Sequence, residues 1–377
     1  MKNISCLISG VVVVVLSCES PNTVLPVEID PNIINISYQS WYRASPPVDP
    51  DSLWYYPPAW EFYWFSPRDM DEAHRVRRDE IVELSEEEKR TSQLGTPYEY
   101  VLRLHAIPSP PVDSLAPRFR KAWAGIMTPI PSESADKSDA GYFEFFIKAD
   151  GGFNGKGWLR IQMGELREDV SLNGGPPNGR KDDEDTSTSV VHNYNPKSDL
   201  GWDLLLDKKE VYLIPGLTPG TWDTLRYGDP LLGPDSLDPA KDNWRQYFYD
   251  NGDINNYRYV CRRQGDGKTV GSSEDINSDG TVQTTVVERY FQYSIDLGDS
   301  LSPLIDTTVD YANPGVWRKY RIPLRETVPE YESCFVAVND PNWSTISTLR
   351  LIWSDFDSLQ LDREYSLVFH GLKFSPD

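Results

Sequence analysis

The residues best spaced for chemistry lie between 274 and 288. Asp275-Ile-Asn277-Ser-Asp279-Gly280 sets oxygen-bearing side chains at alternate positions and closes on a glycine that permits a tight turn, the first half of a calcium-binding loop. The twelfth position of such a loop is Val286, and an acid able to bind with both oxygens arrives two residues later as Glu288. The spacing therefore predicts Asp275, Asn277, Asp279 and Glu288 as Ca2+ ligands, with Glu274 as a further oxygen donor. The competing reading is a polar turn before a strand, in which Asn and Asp supply left-handed backbone angles. A second acidic run, Asp182-Asp183-Glu184-Asp185, holds consecutive like charges that repel and favour solvent.

Other chemistries find less support. The histidines, His74, His105, His192 and His370, are scattered and lack HExxH spacing, and the sequence has no GxSxG elbow and no phosphate-binding glycine loop. Two carboxylates suffice for a glycosidase, but nothing singles out a pair among 58 acidic residues. The expectation is a protein without enzymatic activity. Aromatic rings in loops are better placed to stack on sugars. Trp222, Trp244 and Trp343, with Tyr227 beside them, are the candidate glycan-binding residues.

Charge narrows the partners. The 377-residue chain has a formal net charge of −21, which opposes both the phosphates of nucleic acid and an anionic bilayer surface. Nucleic acid is excluded as a partner, and any membrane attachment must come from something other than charge. Lys2 followed by the apolar run Ile4 to Leu16, with valine at every position from 11 to 15, is too short to span a bilayer and fits a secretory leader. Val15-Leu16-Ser17-Cys18 resembles the bacterial lipobox, which implies acylation of the Cys18 thiol and cleavage before it. Loss of residues 1–17 removes Lys2 and no acid, taking the charge from −21 to −22. Glu19 after the cysteine implies sorting to the outer membrane, facing the periplasm or the cell surface. Of the remaining cysteines after Cys6 leaves with the leader, Cys261 and Cys334 are either bridged in that oxidising compartment or two buried thiols.

The elements that must position these residues are mostly strands. Residues 18–31 read as a polar tether, and 32–97 as an aromatic and proline-rich segment running from Trp41 to Phe65 and then into a charged helical stretch over 69–93. Dense aromatics of this kind pack against a larger body or a partner. From Tyr98 onward apolar and polar residues alternate with period two. Phe143, Phe145 and Ile147 oppose Glu144 and Lys148; Leu159, Ile161 and Met163 oppose Arg160 and Gln162. The same pattern recurs in 289–297, 317–324, 347–353 and 365–374. Half-buried strands separated by Gly, Pro, Asn and Asp predict a mainly β fold, an antiparallel sandwich over 98–377, with a short extended and helical segment before it. Long polar loops lie at 173–195 and 215–243.

One ordered set of segments carries a resemblance. Trp123-Ala-Gly-Ile-Met127, Tyr142-Phe-Glu-Phe-Phe146, Gly157-Trp-Leu-Arg-Ile161 and Met163-Gly-Glu-Leu-Arg-Glu-Asp169 are followed by Gly201-Trp-Asp203, Asp242-Asn-Trp244 and Glu274-Asp-Ile-Asn-Ser-Asp279. Glu288-Arg-Tyr-Phe-Gln-Tyr293, Trp317-Arg-Lys-Tyr-Arg-Ile-Pro-Leu324 and Ile346 to Trp353 complete it. In order and spacing this resembles the periplasmic sandwich segments of the SprA family, the giant cell-surface proteins of gliding motility and type 9 secretion. The resemblance implies a jelly roll of the galactose-binding type and a protein partner in the envelope. Members of that family are far longer and form a large outer-membrane barrel; this sequence has one sandwich unit and no succession of amphipathic membrane strands, so conduction is not expected of it. Replacing the acylated thiol tests the anchor: Cys18→Ser is expected to move the protein from the membrane fraction to the soluble fraction, with its thermal unfolding unchanged.

Overall fold

Alternating side chains become paired strands in the computed structural model, which describes residues 30–37, 40–45, 60–67, 74–82, 85, 87, 98–108, 123–154, 156–168, 276–277, 287–309, 311, 316–325, 334–354 and 365–376. In chain order these hold β1 (Tyr42–Arg43), β2 (Trp60–Phe65), β3 (Val76–Arg77), α1 (Arg78–Ile81), β4 (Tyr98–Glu99), β5 (Leu102–Pro108) and β6 (Trp123–Pro129). The later strands are β7 (Tyr142–Ala149), β8 (Trp158–Glu165), β9 (Arg289–Asp296), β10 (Trp317–Pro323), β11 (Phe335–Val338), β12 (Thr348–Ser354) and β13 (Tyr365–Ser375).

Two antiparallel sheets pack face to face, as in a β-sandwich. One has six strands in the order β1-β6-β12-β8-β9-β11, the other five in the order β10-β7-β13-β5-β2. Their inner faces supply the core. Phe143, Phe145, Tyr320, Phe369 and Phe374 come from the five-stranded sheet, and Ile126, Leu159, Ile161, Tyr293, Leu351 and Trp353 from the six-stranded one. Phe145 stacks on Tyr320 with centroids 5.4 Å apart, and Phe143 meets Phe374 at 5.0 Å, contacts worth about 0.5–1.5 kcal/mol each beyond area burial. The strands expected at 141–148, 158–163, 289–297, 317–324, 347–353 and 365–374 correspond to β7, β8, β9, β10, β12 and β13.

The described ends of the aromatic segment belong to this sandwich. β1 and β2 are outer strands of the two sheets, and Trp41, Trp64 and Phe65 are buried in the core. Trp41 donates its indole N–H to the Asn35 carbonyl and Trp64 donates to the Trp41 carbonyl, so both polar tips are satisfied inside. Of the helical stretch expected over 69–93, the described residues show helix at α1 and at Glu87; Val76 instead pairs with Glu99 as a strand. Tertiary packing overrides helical propensity here: Val76, Ile81 and Val101 close over Trp317 and Val368 on the outer face of the five-stranded sheet.

β8 and β9 are full-length neighbours although more than a hundred residues separate them in sequence, with Glu165 opposite Arg289. Gly164 makes that closure possible. A Cβ there would lie 2.0 Å from the Arg289 carbonyl oxygen and 2.7 Å from the Tyr290 Cα, both backbone atoms that cannot swing aside. Gly164→Ala is therefore expected to destabilise the sandwich by about 1–3 kcal/mol, read as a lowered urea midpoint at unchanged slope.

Candidate functional site

The most concentrated polar chemistry lies on the outer face of the six-stranded sheet. One row of register partners crosses it, from Tyr42 and Met127 through Arg350, Gln162 and Gln292 to Val336. Period-two alternation turns these side chains away from the core, toward what would ordinarily be water. Instead Arg350, Gln162 and Ser354 have no exposure at all. Trp123, Met127 and Ile352 on the same face cluster with Ala44 and Ile276, which roof part of it.

A guanidinium without solvent needs a partner, and Arg350 has several. Nη1 and Nη2 donate to Oε1 and Oε2 of Glu288 at 3.0 and 3.2 Å, a bidentate pair. Nη1 also donates to the Ser45 hydroxyl at 2.7 Å, and Nε to Gln162 Oε1 at 2.5 Å. The Ser45 hydroxyl donates in turn to the Arg167 carbonyl at 2.7 Å, and Gln162 donates onward to Gln292 at 2.6 Å. Glu288 is held from two further directions: the Arg167 amide donates to Oε1 at 3.2 Å, and Asn339 donates to the Glu288 carbonyl at 2.9 Å. Burial is the largest influence on the Glu288 carboxyl and alone would raise its pKa. The Arg350 charge and hydrogen bonds, with Arg167 adding to them, outweigh it and leave the pKa below the ordinary glutamate value.

This geometry bears on the calcium reading. Both Glu288 oxygens are taken by Arg350, so the carboxylate acts as the partner of a buried cationic side chain, and a Ca2+ ion there would have to displace a guanidinium. Asp275, Asp279 and Glu274 lie outside the described residues. Between them Ile276 is buried and Asn277 is exposed, so the described part of the loop is pinned to the sheet by its apolar residue. Among the described residues no three His, Cys, Asp or Glu side chains converge as metal ligands.

The other expected residues that are described are not among the hydrogen-bond partners of Arg350. Trp343 starts a short 3-10 turn and is half-buried, one ring face stacked on Phe291 at 4.0 Å and nearly parallel. Trp222, Tyr227, Trp244, Asp182 to Asp185, Cys18 and Cys261 lie outside the described residues. Cys334 is half-buried, and its carbonyl accepts from the Ser294 amide. His370 is hydrogen-bonded to the Tyr100 carbonyl. His105 sits between the Tyr63 and Ser366 hydroxyls at 3.3 and 3.2 Å, all three buried, as a polar bridge linking β2, β5 and β13. On the outer face of the five-stranded sheet Glu144 gathers Lys319, Arg321 and Lys373 within 3.1–3.5 Å.

Sequence alternation places Gln162 on a polar face and does not distinguish Arg350 from a solvent-facing residue. The available signal was Ile352, an apolar residue two positions along on the same side as Arg350, which marks that face as covered. The chain matches no protein-family model and no curated protein sequence.

Removing one partner of a buried ion pair strands the other. Arg350→Met is therefore expected to cost about 3–5 kcal/mol, with Arg350→Met/Glu288→Gln recovering part of it, measured by urea unfolding. The lowered Glu288 pKa fixes the sign of the pH effect. Its stabilisation is present above the unfolded-state pKa and is lost as pH falls through the lower folded-state value. Glu288→Gln should flatten that part of the acid unfolding curve.

Proposed function

We propose that this chain is a lipid-anchored, non-enzymatic protein of a bacterial outer envelope, an SprA-like sandwich module held at the outer membrane through Cys18. The observation that carries the scaffold reading is the Arg350 site itself. Its guanidinium, carboxylate, amides and hydroxyl are spent on one another beneath a roof of the same chain. Such a network fixes a shape and leaves the outer strands and rims to meet a partner.

The jelly-roll assignment within this proposal draws support from chain order. The path crosses from one sheet to the other between β1 and β2, β5 and β6, β6 and β7, β7 and β8, β9 and β10, β10 and β11, and β12 and β13. Segments of the SprA-like series fall on β6, β7, β8, β9, β10 and β12, which is why that family is the preferred comparison. The anchor rests on the lipobox-like Val15-Leu16-Ser17-Cys18. The alternative, a lipid-anchored carbohydrate-binding module, rests on Trp222, Trp244 and Trp343, the last half-buried with one ring face stacked on Phe291.

Affinity capture of the tagged full-length chain from native membranes of its own bacterium, followed by mass spectrometry, tests the proposal. Co-purification of outer-membrane barrel and secretion components is the expected result. A chain recovered from the membrane fraction without any envelope protein would overturn it.

A further inference from the structure

We propose that β11 is a docking edge that accepts one added β-strand from a cationic partner polypeptide. This rests on the envelope-partner reading above and names how such a partner is held.

The ladder shows which backbone groups are on offer. The Ser294 amide donates to the Cys334 carbonyl at 2.7 Å, and the register sets Val336 opposite Gln292 and Val338 opposite Tyr290. Bonded and non-bonded pairs alternate along an antiparallel ladder. Cys334, Val336 and Val338 therefore spend their backbone groups on β9, while Phe335 and Ala337 point theirs away from the sheet. β11 is the last strand of its sheet among the described residues, and Val336 is 49% exposed. Edges of this kind are commonly blunted by lysine, proline or an inward-pointing charge. Cys334-Phe-Val-Ala-Val338 has none.

The neighbourhood selects the occupant. On the inner face Phe335 stacks beside Phe291 at 6.1 Å and meets Tyr293 at 5.1 Å, and Phe291 carries Trp343. This apolar shelf runs up to the edge, so an added strand would place apolar residues on that side. Charge decides the rest. From Cys334 to Leu349 the described chain carries Asp340 and no lysine or arginine, and the sequence as a whole holds 58 acidic residues against 37 basic ones. A second copy would bring the same acids and another net charge of −21, whereas a strand flanked by Lys or Arg meets opposite charge. Asn339 and Asp340, with φ of 56° and 59°, turn the chain away after Val338 and limit the edge to a short strand. Backbone pairing supplies the affinity and alternate side chains the selectivity.

The test uses the full-length chain in detergent and a fluorescent synthetic peptide of alternating valine and threonine with lysine at both ends. Saturable binding that weakens with salt is expected. The Phe335 and Ala337 amides should exchange rapidly in the free protein and slowly with peptide, while those of Val336 and Val338 stay protected throughout. Ala337→Pro deletes only an outward N–H and should weaken binding about tenfold or more with the melting temperature retained. The same peptide methylated on alternate backbone nitrogens should fail to bind the native protein, a control that stands even if the proline variant does not fold. Phe335 and Ala337 amides already protected in the free protein, no binding, or binding indifferent to both blocks would each overturn the assignment. Self-association lost in Ala337→Pro would give the edge to a second copy and overturn it too. Peptide binding combined with an empty membrane capture would leave the docking edge standing and sink only the envelope-partner reading.

Discussion

A guanidinium with no access to water dictates much of how this sandwich is covered. Moving a charge out of solvent costs several kcal/mol even after relaxation, so Arg350 is tolerated only where its donors are met. Meeting them requires Glu288 from the residues before β9, Gln162 from β8 and Ser45 from the segment after β1. Three distant stretches of sequence must arrive together before the charge is stabilised. That makes the site a device for register as much as for stability, because slipping β12 by one residue would turn Arg350 into the apolar core.

The two outer faces solve the same problem differently. Around Glu144 the cations Arg321 and Lys373 keep close to half of their side-chain surface in solvent, and ion pairs so exposed contribute little each. Around Arg350 the partners are almost wholly buried, and every bond carries weight. One face of the protein is thus fixed by desolvated pairing and the other by the apolar cover of Val76, Ile81 and Val101. Among the described residues both faces are thus partly sealed by the chain itself, while β11 ends its sheet.

How legible each element was depended on how one-sided its burial is. β7 and β9 read plainly because Phe143, Phe145 and Ile147, or Phe291, Tyr293 and Ile295, face one core while polar residues intervene. β6 hid its alternation, since six of its seven residues are buried. Val76 sat within a charged stretch of helical character, and only contact with Trp317 and Val368 made it a strand. The Arg350 partner of Glu288 is not legible locally, because it lies 62 residues further along the chain.

The amino-acid sequence by itself determined the features that local periodicity and composition encode: the antiparallel strands and the acidic character. Those properties depend on side-chain types at fixed short spacing. Tertiary structure alone decided that Arg350, Gln162 and Ser45 are interior, that Ile276 pins its loop to the sheet, and that Phe335 and Ala337 aim their backbone groups outward. Polar alternation says which side of a strand a residue takes. Whether that side meets water depends on what the rest of the chain lays over it, and no local pattern encodes that.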